Sequence, residues 1–280
     1  MTPPARTLPT GERVHIWMPD GDPRAVVVLQ HGLAEHATRF VTDHGGIIPA
    51  LRQSGIAVYA MDLRGHGASP GPRRVVDVRA AVRAHLWLRD RAAELRVPVV
   101  ALGHSLGGLV TAGSVARRPE GLAAAVLLSR ALLETPPAPV VRAGLLLGKV
   151  LPRMPVRRIS GSDEELTRDP TARSHMRADP LMSSGPVPAR TGATILAVSR
   201  DVWRGASAWT VPTLIVHGTD DNVTEPANSR RLADLIGPRA TYVAVTDGRH
   251  ELLHDADGPR TLHLVLGWID EHLAGVRPTG

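Results

Sequence analysis

The sequence predicts an α/β fold in which a mostly parallel central sheet is covered by helices on both faces. Short, continuous apolar runs rich in β-branched residues alternate with segments of helical pattern, as expected of strands buried on both faces. Several of these runs end in polar or glycine-rich loops, and the carboxyl ends of parallel strands are where such sheets build their sites. The predicted parallel strands are 26–29, 56–61, 99–102, 124–128, 213–216 and 241–245.

Two further segments complete the predicted architecture. Residues 14–18 alternate polar and apolar side chains before a turn sequence, which indicates an antiparallel strand at the sheet edge. From about 134 to 209 prolines cluster and helical patterns follow one another without strands. A chain of 280 residues suits one domain with an insertion. We therefore predict a core formed by 1–133 and 210–280, with 134–209 inserted as a helical cap, called here the cap segment.

Residues 140–151 within the cap segment are unusually apolar for a peripheral position. One interpretation is a helix packed on the core, and the other is a lipid-facing or substrate-lining surface. The stretch is too short to span a bilayer. The second interpretation predicts transient contact of the cap segment with a membrane surface.

Composition excludes several classes of function. The net charge is +6, but Lys149 is the only lysine, the arginines are scattered and Phe40 is the only phenylalanine, so we expect no nucleic-acid partner. No cysteine is present, which excludes thiolate chemistry. The first twenty residues lack the apolar stretch of a secretory signal. We expect a cytoplasmic location, with a peripheral position at a membrane surface as the finer alternative, and the oligomeric state stays open.

The pentapeptide Gly103-His104-Ser105-Leu106-Gly107 follows a predicted strand and precedes a helical pattern. This is the context of a nucleophile elbow. A serine hydroxyl is a weak nucleophile unless a sharp turn presents it to a general base, and the turn brings backbones so close that glycine is required on either side. We therefore predict Ser105 as the nucleophile.

A serine nucleophile on this fold needs a carboxylate and a histidine that follow it in the chain. Asp220 and Asp221 both come after the strand at 213–216, and G-x-x-D spacing favours Asp221, with Asp220 as a turn residue. His250 lies in the loop after the last strand, from which it can reach Ser105, and His254 is the alternative.

Ester chemistry also needs two backbone N–H groups directed at the developing oxyanion. We predict that Leu106, directly after the nucleophile, supplies one. The loop after the strand at 26–29 supplies the other through Leu33, because Gly32 permits a tight bend there. The alternative is that His31-Gly32 forms an ordinary turn.

No metal or cofactor is predicted. His250 and His254 have His-x-x-x-His spacing, but a zinc peptidase would need a glutamate base and a third ligand in context, and the role of base for Ser105 already accounts for His250. The glycine-rich pieces fit neither the dinucleotide nor the phosphate-loop spacing.

The positions above resemble the monoacylglycerol lipase family of α/β-hydrolases nearly from end to end. Five ordered blocks carry the resemblance: 31–40 is similar to H-G-x-x-E-H-x-x-R-[FY], 62–69 to D-x-R-G-H-G-x-S, 103–108 to G-H-S-[ML]-G-G, and 217–221 and 250–251 to the acid and base segments. The resemblance implies an α/β-hydrolase fold and a serine hydrolase that cleaves monoacylglycerols to fatty acid and glycerol through an acyl-enzyme. Its partner would be a small lipid ester.

The resemblance also implies substrate contacts. Glu35, His36 and Arg39 would shape the alcohol end of the pocket, although Glu35 and Arg39 lie four residues apart and can instead form a local ion pair. Arg130 and Arg249 depart from the family pattern near strand ends, where a charge would favour an anionic or more polar ester. A lysophospholipase, a small-ester carboxylesterase and a non-catalytic binding protein of the same fold are the alternatives.

Overall fold

The computed structural model describes residues 6–158 and 162–274. Eight strands form one sheet in the order β1-β2-β4-β3-β5-β6-β9-β10, and β7 pairs with β8 in a separate two-stranded sheet. The strands are β1 (Arg6–Thr7), β2 (Arg13–Trp17), β3 (Ala25–Gln30), β4 (Ile56–Met61), β5 (Val99–His104), β6 (Ala124–Leu128), β7 (Pro155–Arg158), β8 (Pro186–Pro188), β9 (Thr213–Gly218) and β10 (Ala240–Val245).

Strands β3, β4, β5, β6, β9 and β10 pair in parallel, which confirms the predicted sheet. The prediction of an edge strand at 14–18 is wrong in one respect. Strand β2 is antiparallel to β4, as expected, but β1 pairs with its other side and forms the edge. Two residues are too few to show a period-two pattern, so β1 left no signal in the sequence.

Helices cover both faces of the sheet, and alternate residues of β3 belong to opposite halves of the core. The helices are α1 (Arg39–Thr42), α2 (Ile47–Gln53), α3 (Val78–Ala93), α4 (Leu106–Arg117), α5 (Ala138–Val150), α6 (Asp163–Leu166), α7 (Pro170–Ala178), α8 (Ala189–Gly205), α9 (Pro226–Ile236) and α10 (Gly258–Ala274). Val26 and Val28 belong to a hydrophobic cluster with residues of α3, α4, α8 and α9, whereas Val27 and Leu29 belong to a cluster with residues of α2 and α10.

The cap segment contains α5, α6, α7 and α8, but it is not purely helical. Strands β7 and β8 pair antiparallel within it, so the expectation of helices without strands is wrong there. Both strands are short and begin with proline, a composition that argues against a strand in the sequence. Along the described residues, no helix has the length and apolar character needed to cross a bilayer.

His85 on α3 is a buried histidine without a partner. Its side chain is fully buried, and neither ring nitrogen has a hydrogen-bond partner among the described residues. Burial, assisted by the charge of Arg89, lowers the pKa of His85 from 6.5 to about 3. Below pH 6.5 this histidine is protonated in the unfolded chain but stays neutral in the folded chain. Lowering the pH therefore favours the unfolded chain, and the free energy of unfolding falls.

We expect His85→Leu to reduce this acid sensitivity. Between pH 8 and pH 5, the lowered pKa costs the wild type about 2 kcal/mol, and the variant should lose that part of the pH dependence. Urea unfolding at the two pH values measures it. His263→Leu is the matched control, because His263 is exposed on α10. An unfolding free energy that changes with pH as in the wild type would contradict the assignment to His85.

Candidate active site

Ser105 lies at the junction of β5 and α4 in a strained backbone conformation. Its φ is 52° and its ψ is −119°, a region that non-glycine residues rarely adopt. A Cβ on Gly107 would lie 2.1 Å from the carbonyl oxygen of Gln30, and one on Gly103 would lie 2.3 Å from that of Gly107. Backbones therefore meet with no room for side chains, and glycine is required at both positions.

His250 and Asp221 lie in line with the serine. His250 Nε2 is 2.8 Å from Ser105 Oγ, and His250 Nδ1 is 2.8 Å from Asp221 Oδ2. The other oxygen of Asp221 accepts the backbone N–H groups of Val223 and Thr224 at 2.8 and 2.9 Å. The structure thus brings the three predicted residues together in the geometry of proton transfer from serine to histidine.

Asp221 carries a full negative charge. Burial would raise the pKa of Asp221, but the charge of His250 and hydrogen bonds from His217 and His250 hold it well below its usual range. A fixed anion at this position stabilises the imidazolium that forms when His250 takes a proton.

The two alternative residues lie elsewhere. Asp220 is exposed, and its carboxylate lies 3.4 Å from the Thr219 hydroxyl. His254 lies in a short 3₁₀ turn, with Nδ1 3.6 Å from Glu251 Oε2. Neither approaches Ser105 in the described contacts.

Leu33 and Leu106 flank the nucleophile. Leu106 is the first residue of α4, Leu33 lies in the loop after β3, and both line the cavity at Ser105. Among hydrogen bonds between described residues, neither amide donates to a protein acceptor. A Cβ on Gly32 would lie 2.9 Å from Ser105 Cβ, so the loop packs directly on the nucleophile. Both amides are free to serve an oxyanion.

The Glu35 carboxylate anchors the loop after β3 through several hydrogen bonds. It accepts hydrogen bonds from Gly32 N at 2.6 Å, His44 Nε2 at 2.8 Å, and His104 Nδ1 and Arg39 Nη1 at 2.9 Å. Burial would raise the pKa of Glu35, but the charges and hydrogen bonds of His44 and His104 hold it well below its usual range. The two histidines were missed in the sequence, since no spacing relates them to Glu35.

All three nitrogens of the Arg39 guanidinium contact neighbouring carboxylates. Its guanidinium contacts Glu251 with two hydrogen bonds of 3.0 and 3.1 Å, Asp43 at 3.2 Å and Glu35 at 2.9 Å. The local ion pair considered for Glu35 and Arg39 is therefore present. His36 instead contacts Asp179 of the cap segment.

Of the three predicted substrate contacts, only Glu35 lines a cavity at Ser105. His36 Nε2 lies 2.7 Å from Asp179 Oδ2, and Arg39 is buried among carboxylates. Neither His36 nor Arg39 is among the described residues that line the two cavities. Both support the loop from outside the pocket.

Two cavities of about 360 Å³ each meet at Ser105. The first extends under the cap segment and is almost wholly apolar. Its lining comprises Leu33, Ser105, Leu106, Ala131, Leu133, Gly144, Leu147, Val156, Val187, Ala189, Gly192, Ala193, Ile195, Leu196, Asn222, Val223 and Thr224.

The second cavity is lined by more polar and charged side chains than the first. Among the described residues it shares only Leu33, Ser105 and Val223 with the first, and His250 is part of its lining. Its remaining lining comprises Ala34, Glu35, Arg74, His104, Asp163, Leu166, Met176, Arg177, Asp179, Met182, Ser183, Ser184, Gly185, His250 and Glu251.

The two arginines that depart from the family pattern line neither cavity. Arg130 is buried beyond β6, where its guanidinium donates to the carbonyl oxygen of Asn228 at 2.6 Å and to the Ser229 hydroxyl. The guanidinium of Arg249 contacts the backbone of Glu164 in the cap segment. The expectation that these charges read an anionic substrate is therefore wrong.

In the part of the chain that the structure describes, two groups of side chains could each offer three ligand atoms to a metal. Glu35, His44 and His104 form one, and Asp43, His175 and His254 form the other. In the first group a cation would compete with the Arg39 guanidinium for Glu35, which makes it a poor metal site. The prediction of no metal stays a prediction.

A parallel sheet that presents serine, carboxylate and histidine in this order at its strand ends defines an α/β-hydrolase. A family model described as serine aminopeptidase, S33, matches residues 21–257. The chain is 34% identical to a monoacylglycerol lipase of Mycolicibacterium smegmatis over 92% of both chains, and 30% identical to a monoglyceride lipase of Homo sapiens over 92% of this chain and 86% of that one.

Solved structures agree. A monoacylglycerol lipase of Paleococcus ferrophilus superposes with a TM-score of 0.80 at 29% identity, over 92% of this chain and 99% of that one. A monoglyceride lipase of Saccharomyces cerevisiae, crystallised with a substrate analog, gives 0.77 at 18% identity over 97% and 96%, a likeness of fold. The chain belongs to the monoacylglycerol lipase family of α/β-hydrolases and is a carboxylic ester hydrolase.

Proposed function

We propose that the protein hydrolyses monoacylglycerols to a fatty acid and glycerol. The observation that carries the proposal is the position of Ser105 between an apolar cavity and a more polar cavity of equal volume. An ester with one long acyl chain and one small polyol matches this division, since apolar surface is favourably buried and hydroxyl groups need hydrogen-bond partners.

The proposed mechanism uses the residues at this junction. Ser105 Oγ attacks the ester carbonyl as His250 Nε2 accepts its proton, and Asp221 stabilises the resulting imidazolium. The amides of Leu33 and Leu106 hold the oxyanion. His250 then returns the proton to the departing glycerol, and water cleaves the acyl-enzyme by the same steps in reverse order.

The charges of the polar cavity favour a neutral alcohol. Four carboxylates line it, those of Glu35, Asp163, Asp179 and Glu251, against the guanidinium groups of Arg74 and Arg177. Arg74 is already engaged with backbone carbonyl groups of the cap segment. Arg177 is paired with Asp163, so neither guanidinium is left to hold a phosphate, which disfavours the lysophospholipase alternative. Glycerol hydroxyls need no cation and can donate to carboxylates.

Replacing the nucleophile separates an enzyme from a binding protein. Ser105→Ala should keep the fold and lose both ester turnover and labelling by a fluorophosphonate, retaining on the order of 10³-fold acceleration over water from binding and oxyanion stabilisation. Ser129→Ala is the matched control, because Ser129 is buried beside the site without a hydroxyl partner in the described chain. Undiminished turnover by the Ser105 variant, or no labelling of the folded wild type, refutes the proposal.

Filling the apolar cavity should shorten the preferred acyl chain. A Cβ on Gly144 meets only Ala193 at 3.7 Å, so Gly144→Leu enters the cavity without a backbone clash. Each methylene excluded costs about 0.8 kcal/mol, and kcat/KM for long-chain monoglycerides should fall far more than for short ones.

The measurement is a kcat/KM series over monoglyceride chain length, with a triglyceride and a lysophospholipid beside it. Gly267→Leu on α10, where nothing lies within 4 Å, is the matched control. A chain-length profile unchanged by Gly144→Leu would exclude this cavity as the acyl site. Preference of the wild type for the triglyceride or the lysophospholipid would exclude the proposed substrate.

Transient contact of the cap segment with a membrane surface is part of the proposal. Helix α5 exposes Leu146, Leu147 and Val150 to solvent by 64, 38 and 67%. Leu147 also lines the apolar cavity, so the exposed face is continuous with the proposed acyl site. A lipid surface, from which an acyl chain can enter directly, is the occupant that this continuity favours.

We expect Leu146→Ser combined with Val150→Ser to weaken binding to phosphatidylcholine vesicles in a sedimentation assay. Turnover of a soluble short-chain ester should stay unchanged, because neither residue lines a cavity at Ser105. Leu235→Ser, an exposed leucine on α9, is the control. Vesicle binding equal to the wild type, or a wild type that buries this face in a dimer, overturns the expectation.

A further inference from the structure

A chain of buried hydrogen bonds leads from Arg130 to the carboxylate of Asp221. The Arg130 guanidinium donates to the Ser229 hydroxyl, which contacts His217 Nδ1. His217 Nε2 lies 3.0 Å from Asp221 Oδ2. Asp221 Oδ2 is the same oxygen that His250 contacts. All members of the chain are buried, so water does not compete for these bonds.

Arg130 favours one direction of donation along this chain. A guanidinium only donates, so it occupies an acceptor position of Ser229 Oγ. Among the described residues His217 Nδ1 is the one acceptor that the Ser229 hydroxyl contacts, so the hydroxyl donates its proton to Nδ1. His217 then carries its proton on Nε2, which faces Asp221. Without Arg130 the Ser229 oxygen lacks its buried donor, and a proton on His217 Nδ1 would supply one. The histidine would then lose its donor toward the carboxylate.

The positive charge of Arg130 also disfavours a proton on His217 Nδ1. Within the described residues no carboxylate pairs with it, and burial lowers the pKa of Arg130 only to about 9, so it is a cation at neutral pH. The charged and titratable groups facing His217 are Asp221, Arg130 and His250. Burial lowers the pKa of His217, Asp221 raises it, and Arg130 and His250 lower it again.

A protonated His217 would harm the site. It would neutralise the Asp221 carboxylate and compete with His250 for it when the imidazolium forms. Arg130 favours a neutral His217, so the negative charge of Asp221 remains available to stabilise the imidazolium of His250.

We infer that Arg130 is a positioning residue of the esterase, which acts through Ser229 and His217 to present Asp221 to His250. The inference rests on the triad roles proposed above.

Replacing the arginine tests the inference by kinetics with a soluble ester. Arg130→Met should lower kcat about tenfold with KM nearly unchanged, an effect typical of removing one member of a network that touches the reacting groups. The acid limb of the pH profile should move to higher pH, because His217 is then protonated more readily. Arg130→Lys keeps the cation and should restore the position of the acid limb.

A matched control separates positioning from packing. Arg89 is another buried arginine, bonded to Ser114 and to the carbonyl of Glu120, away from the site. Arg89→Met and Arg130→Met should both lower the thermal midpoint, and only the second should alter the pH profile. A folded Arg130→Met enzyme with the wild-type kcat and acid limb overturns the inference.

Ser229→Ala is the second variant, in case Arg130→Met does not fold. It interrupts the chain with almost no change of volume and should lower kcat at unchanged KM. Wild-type kinetics of Ser229→Ala also overturn the inference. Failure of the triad itself would be distinguishable, since Ser105→Ala would then retain activity, whereas failure of Arg130 alone leaves Ser105→Ala inactive.

Discussion

The site depends on a place where three pieces of backbone touch. Strand β5, the start of α4 and the loop after β3 approach so closely at Ser105 that Gly103, Gly107 and Gly32 have no space for a Cβ. This contact holds the serine in its strained conformation and sets the Leu33 amide beside it. The strain is tolerated because the surrounding sheet and helices are packed on both faces, so the turn cannot relax without disturbing the core.

Two buried carboxylates beside the reacting groups, Asp221 and Glu35, are each held in place by several hydrogen-bond donors. Asp221 accepts hydrogen bonds from two histidines, two backbone amides and the Thr224 hydroxyl, and Glu35 accepts from two histidines, Arg39 and Gly32. Both carboxylates remain charged because these donors outweigh the cost of burial. Removing one donor from such a set leaves a buried charge short of partners, so each network fixes the geometry of its loop strongly.

Much of this could be predicted from the sequence, for reasons that are local. The parallel strands show as continuous apolar runs, and Ser105, Asp221 and His250 follow the ends of those runs in the required chain order. Contacts between distant segments leave no such pattern. Glu251 lies 212 residues from Arg39, and two-residue or proline-containing strands such as β1 and β8 show no periodicity. Position at a strand end also does not reveal which way a side chain points. Arg130 was therefore expected near the substrate, whereas it is buried beyond β6.

The division of the pocket at Ser105 has a consequence for the fate of the acyl-enzyme. Because the two cavities share only Leu33, Ser105 and Val223 among the described residues, an alcohol released into the second cavity would leave without passing an acyl chain held in the first. The second cavity would then admit the next nucleophile, either water or a small alcohol. Under the proposed function, hydrolysis and transesterification therefore compete for one intermediate. The ratio of free acid to new ester would depend on what occupies the second cavity, independently of acyl length.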